Sequence, residues 1–246
     1  MKYQGIIVIL FVVLMPFLGL TQDFYSPDSS SNIIYQREYK YGIKVHTQGL
    51  GAKFSWGRNI NAFKRKSYSI ELHTLNNPKE QRVTSLLFYH GRSYIYGKIN
   101  YIVNLRAVRL IEKQLNRKPY WRGVELRWFY QYGVDIAFAK PYYLQVYSFE
   151  TQMSFEAKFD DPDISSENII GRARFLKGIE ETKTYPGIHF ESGLSFDYGI
   201  YRTSIKELTL GASLDIYPFP IRILALNPPH YYFLTLFIGL NIGRRQ

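Results

Sequence analysis

The chain has 246 residues, of which 46% are hydrophobic and 17% aromatic, with 22 Tyr and 17 Phe. That length suits one barrel-sized domain, and the ring content is high for a soluble one. It contains no cysteine, which excludes a disulfide framework, a Cys-ligated zinc site, a thiol nucleophile and a lipidated cysteine. The formal net charge of +11 would suit a nucleic-acid partner inside a cell, but an N-terminal export signal argues against one.

Residues 1–22 read as that signal, a cleaved peptide. Lys2 gives a positive start, Ile6 to Leu20 an apolar stretch broken by Pro16, and Leu20-Thr21-Gln22 a cut site. No later run approaches the ~18 apolar residues of a membrane helix. Residues 23–37 then form a short N-terminal periplasmic segment, and 38–246 the main domain.

The spacing predicts eight strands in that domain, over 38–47, 50–58, 67–75, 98–111, 122–139, 186–201, 204–217 and 230–243. Each can cross a tilted bilayer span, which takes about 9–11 residues. A turn at Gln48-Gly49 joins the first two and pairs Thr47 with Leu50 on the apolar face. In the fifth, Val124, Leu126, Trp128, Tyr130, Tyr132, Val134, Ile136 and Phe138 share one face. In the sixth, Ile188, Phe190, Leu194, Phe196 and Tyr198 do so, and in the last Tyr232, Leu234, Leu236, Ile238, Leu240 and Ile242. Strict alternation of this length is the period of a two-faced strand.

Which face looks out is decided by the glycines. Those at 42, 51, 57, 123, 133, 187, 193, 199, 211, 239 and 243 share the polar face. Small residues fit the narrow lumen of an eight-stranded barrel, whereas on a solvent face they would only weaken the strands. Tyr39, Trp56, Tyr68, Tyr198 and Tyr232 lie near strand ends on the apolar face, as membrane-girdle residues do. The fold class is therefore all-β: a transmembrane, antiparallel up-and-down barrel, with a lipocalin-like soluble barrel as the rival. With both termini periplasmic, the Gln48-Gly49 turn and loops 76–97, 140–185 and 218–229 face outward, and 59–66, 112–121 and 202–203 connect inside. A hairpin hidden in 140–185 would raise the count to ten, and Glu167–Glu180 in that loop reads as a short helix. The apolar segment 217–230 has four prolines and should fold over the barrel mouth rather than extend an edge.

Several stretches resemble small outer-membrane β-barrel proteins of Bacteroidota: Asn77-Pro78-Lys79-Glu80, Tyr96-Gly97-Lys98, Gly123-Val124-Glu125-Leu126-Arg127, Lys140-Pro141-Tyr142-Tyr143 and the closing Leu236 to Arg245. The likeness spans roughly residues 40–245. It implies a bacterial outer-membrane barrel and carries over no catalytic residue.

On the polar face lie Lys40, Lys44, His46, Lys53, Glu71, His73, Arg106, Glu125, Arg127, Asp135, His189, Glu191, Asp197, Glu207 and Asp215. Buried in a narrow lumen, such groups must pair or be hydrated. They are expected to form an ion network that fills the barrel; a narrow conduit for ions or small solutes is the alternative. An enzyme reading would rest on Ser69, Glu71 and His73, but side chains at i and i+2 are roughly 7 Å apart, too far for direct nucleophile–base contact. No catalytic residue, metal site or cofactor is assigned, and His90 and His230 show no ligand spacing. Arg58, Lys64, Arg65, Lys66, Lys113, Arg117, Lys118, Arg122, Arg202, Arg244 and Arg245, against Glu112 alone, make a basic periplasmic rim. Its partners are anionic lipid headgroups or an acidic protein, so the barrel is read as a non-enzymatic subunit of an outer-membrane assembly, secretion or transport complex. A lipid-modifying enzyme is the remaining alternative.

Overall fold

A computed structural model describes residues 37–245 except 62, 86–91, 117–122, 150–151, 162–163, 165–167 and 200–202. The expected signal peptide and nearly all of the expected N-terminal segment therefore lie outside the described residues. The strands in chain order are β1 (Glu38–His46), β2 (Gly49–Asn61), β3 (Lys64–Leu75), β4 (Arg82–Val83), β5 (Tyr94–Ile95), β6 (Asn100–Asn116) and β7 (Glu125–Pro141). There follow β8 (Tyr143–Ser148), β9 (Met153–Lys158), β10 (Ile169–Arg172), β11 (Lys183–Asp197), β12 (Ser204–Ile221) and β13 (His230–Arg245). Eight of them close a barrel in the order β1-β13-β12-β11-β7-β6-β3-β2. Every barrel neighbour is antiparallel, and β1 pairs with β13 from Glu38↔Arg245 to His46↔Phe237 to complete the ring. Closure leaves no unpaired edge, which a sheet in lipid requires.

The alternation maps onto the ring as the glycines imply. Ile43 is 67% exposed, Val134 58% and Leu236 61%, and their neighbours on the other parity are turned to the axis. The barrel is thus apolar outside and polar inside, the inverse of a soluble lipid-carrying barrel and the arrangement of a transmembrane one. The lumen is narrow enough that side chains fill it. A Cβ at Gly187 would stand 2.5 Å from the Tyr217 ring, and one at Gly211 would stand 2.8 Å from Phe237. Large residues on one strand therefore demand glycine on the next.

Several boundaries differ from expectation. The first hairpin turns at Thr47–Gln48, because His46 pairs with Gly49 and Val45 with Leu50. This differs from the expected pairing by two residues, so every side chain keeps its face. β12 runs beyond 217 to Ile221, although Pro218 and Pro220 interrupt its ladder to β13 between Ile216 and Ile221. The expected helix in Glu167–Glu180 is absent from its described part: Ile169–Arg172 is strand β10, followed by turns. Loop 140–185 does hold strands, but β10, β8 and β9 form a separate three-stranded sheet, and the barrel stays at eight.

The segment after β12 covers the mouth at the loop end. Ile99 and Asn100 donate backbone N–H to the Ile223 carbonyl, and Ala225 donates to Gly97. These bonds seat Ile221, Ile223 and Leu224 against Leu75, Ile95, Ile102, Ala137, Ala139, Tyr217 and Phe233 in one buried apolar cluster. An apolar loop exposed to water gains by burying this area, and the barrel mouth is the surface within reach.

Candidate functional site

The polar interior holds two charge networks separated by a hydrophobic layer. Near the termini, Lys40 Nζ lies 2.8 Å from both Glu112 and Glu207. Arg65 reaches Glu38 and Glu112 at 2.9 Å each. Arg245 bridges Glu38 at 2.8 Å and Asp197 at 2.7 Å. Glu125 and Arg127 pair with each other beside them. Leu110, Phe129 and Phe237 pack above as the apolar layer.

The second network fills the middle of the barrel. Lys44 Nζ sits 2.7 Å from Glu191 and 3.1 Å from Glu71, and 4.6 Å above the Phe237 ring. Lys53 binds Glu71 at 3.0 Å and donates to the Gln131 side-chain oxygen at 2.8 Å. His73 Nε2 is 2.9 Å from Glu71. His189 Nδ1 is 2.6 Å from Asp215. Arg106 donates to Asp215 at 2.7 Å and approaches Asp135 at 3.5 Å. Tyr217 hydroxyl donates to Asp135 at 2.5 Å and accepts from Asn104 at 2.7 Å, which ties this network to the apolar cluster at the mouth. His46 lies beside His73, with ring centroids 5.4 Å apart.

These residues meet because alternate residues of each contributing strand face the axis, where strands far apart in sequence converge. In each network three cations face four carboxylates: Lys40, Arg65 and Arg245 with Glu38, Glu112, Asp197 and Glu207, then Lys44, Lys53 and Arg106 with Glu71, Asp135, Glu191 and Asp215. Near-balance gives each charge a partner in a dry interior, where an unpaired one would be costly. The cavity among Lys40, Lys44, Lys53 and Phe129 measures about 20 Å³, room for roughly one water molecule.

Glu71, His189 and Glu191 bring one ligand atom each within 4.8 Å of one another. The Lys44 ammonium already stands between the two carboxylates, so the cluster holds a fixed cation of the chain itself. Ser69 Oγ is buried without a hydrogen-bond partner among the described residues, and His73 is engaged with Glu71 instead. Thr74 Oγ1 donates to the Leu50 carbonyl and accepts from its N–H. Neither hydroxyl is paired with a base.

The rim needs three corrections within its described part. Arg65 is not a rim residue: it is 1% exposed and points into the lumen, because β3 begins at Lys64 and gives Arg65 the parity of Ser67, Ser69 and Glu71. Arg245 and Glu112 turn inward for the same reason. Arg58, Lys64, Lys66, Lys113 and Arg244 stay on the outer parity, joined by Arg37 and Lys206. Arg117, Lys118, Arg122 and Arg202 lie outside the described residues. Glu38, Asn104 and Tyr217 are the lumen members that sequence reasoning missed; all three share the parity of residues already assigned there. His90 also lies outside the described residues.

Outside the spanning strands, Lys98 is fully buried beneath the loops, 2.9 Å from Glu80 and 4.1 Å above the Tyr101 ring. Burial holds its ammonium below the ordinary lysine value despite the Glu80 carboxylate. Burial also raises Tyr142, whose hydroxyl accepts from the Ile95 N–H at 3.1 Å.

No protein-family model matches this chain, and no curated protein matches it. Among solved structures it is similar to Neisserial surface protein A, with 8% identity, a TM-score of 0.39, and 86% of this chain and 95% of that one covered. It is similar to Ail, the attachment invasion locus protein of Yersinia pestis, with 8% identity and a TM-score of 0.39 over 86% and 97% of the two chains. It is also similar to the N-terminal β-barrel domain of Pseudomonas aeruginosa OprF, with 12% identity and a TM-score of 0.32 over 84% and 97%. Likeness at this level says nothing of activity.

Proposed function

We propose that this protein is an integral barrel of the bacterial outer membrane, of the Bacteroidota kind its motifs resemble, and that it acts without catalysis or conduction. Its role is that of a structural or interaction subunit in an outer-membrane assembly, secretion or transport complex. The observation that carries the reading is the filled lumen: among the described residues, two ion networks, an apolar layer and an apolar mouth occupy it from end to end. A barrel that neither conducts nor pairs a nucleophile with a base has its ends and its wall left for function. The outward cations at the terminus end, with Arg58, Lys64 and Lys66 among them, suit an acidic partner protein in the periplasm or the anionic inner leaflet.

The test is twofold. Pure refolded protein in a planar bilayer should give no discrete conductance steps; steps would turn the reading into a channel. Affinity purification from gently solubilised membranes should recover a stoichiometric partner, and changing Arg58, Lys64 and Lys66 to Gln should release it. A lone monomer indifferent to those changes would end the docking idea. An altered outer-leaflet lipid mass profile on gene deletion would favour an enzyme instead.

A further inference from the structure

We propose that a cationic pocket on the outer wall, at the loop end of β6 and β7, binds the phosphorylated sugar headgroup of an outer-leaflet glycolipid. The proposal rests on the outer-membrane reading above. Tyr101 and Lys140 are cross-strand partners at the loop end of β6 and β7, on the outward parity. Above them β10, the segment after it and the segment before β5 supply Arg172, Arg174 and Arg92, which help line a pocket of 340 Å³.

Three features mark it as built. A Cβ at Gly171 would sit 2.2 Å from the Arg92 carbonyl, so only glycine lets that segment press on β10 and set Arg92 beside Arg172. Lys140 Nζ donates to the Phe175 and Lys177 carbonyls and stacks 4.3 Å from the Phe175 ring, which clamps the following turn onto the barrel wall. No carboxylate lines the pocket. Of the described acids in the same loop, Glu181 is committed to the Tyr143 hydroxyl and Lys158, and Glu156 to Lys177. Arg92, Arg172 and Arg174 make no ion pair among the described residues and are exposed.

Location selects the ligand. Below the pocket the wall is apolar. Beside it Phe175 is 69% exposed and Leu176 73%, which suits insertion at a membrane interface and not contact with water alone. Planar guanidinium groups bind phosphate oxygens bidentately, and Tyr101, Tyr142 and Tyr143 add aromatic surface to the lining beside them. Acyl chains would continue down the apolar wall. A phosphorylated disaccharide carrying acyl chains meets all three surfaces at once; a soluble polyanion meets only the first two.

The full chain, folded in detergent micelles, is titrated by native mass spectrometry with bis-phosphorylated lipid A and with lipid A stripped of phosphate. The phosphorylated form should bind about tenfold or more tighter. Changing Arg92, Arg172 and Arg174 together to Gln should abolish that preference, Lys at the three positions should restore part of it, and Arg58→Gln with Lys66→Gln should leave it intact. Equal binding of the two lipids by the unaltered protein overturns the proposal whether or not the Gln variant folds. So does displacement by inorganic phosphate alone at the same concentration, which would mark a plain anion site. A chain that stays in water without detergent defeats the outer-membrane reading first; one that inserts yet ignores phosphate defeats only this inference.

Discussion

The two ends of the barrel are closed by opposite means. At the loop end Ile221, Ile223 and Leu224 fold back on Leu75, Ile102 and Phe233 in an apolar cluster. At the terminus end and through the middle, closure is ionic, with Lys40, Arg65, Lys44 and Arg106 each touching at least two carboxylates. Apolar contact is non-directional and tolerates the loss of one member at the cost of a cavity. An ion network does not, because removing one cation strands its carboxylates away from water. The ionic part should therefore fail sharply under single substitutions, and the apolar mouth gradually.

The largest expected effect tests that contrast directly. Arg106→Leu leaves Asp135 and Asp215 without their cation and should cost about 3–5 kcal/mol. Ile223→Ala should cost less, about 2–3 kcal/mol. Urea unfolding of both variants in lipid vesicles gives the ranking; the reverse order would break the comparison. Next, Leu236→Arg, near the middle of β13 on the outer face, should cost about 2–4 kcal/mol in a bilayer. The same variant should be nearly silent if that face met water, so a null result removes the membrane-facing orientation.

Tyr217 stands where the two closures meet. Its ring belongs to the apolar cluster while its hydroxyl binds Asp135 and Asn104. Tyr217→Phe keeps the first contact and orphans the second, for about 1–3 kcal/mol; a loss near zero would mean that the closures are energetically separate. The smallest effect concerns Lys98 in the loops. Its folded value is lowered, so the unfolded chain binds more protons and stability should rise as pH climbs toward the ordinary lysine range. A pH series on the wild type against Lys98→Met should show that slope in the wild type and less of it in the variant.

Much of this was legible because a strand has a period of two. Once a single parity was known to be inner, Glu71, Arg106, Glu191 and Asp215 were placed without any three-dimensional information. Arg65, Glu112 and Arg245 follow the same rule; the sequence pattern puts them on the rim because its strands start or stop short of them. The failed helix in Glu167–Glu180 had no such periodicity to lean on, and β10 there is set by pairing with β8. Likewise the long loop reads as acidic through Asp160-Asp161-Pro162-Asp163 and Glu180-Glu181. Its arginines join Arg92 only because Gly171 brings two distant segments into contact.

The alternation of apolar and polar residues, together with the side the glycines take, by itself determined the eight main strands, the outward face and most of the charges turned to the axis, since those depend on local backbone geometry alone. Which carboxylate meets which cation, which loop covers the mouth and which arginines share a pocket were decided only when the ring closed. Those contacts join residues as far apart as Glu38 and Arg245, and no local pattern encodes a distance across the barrel.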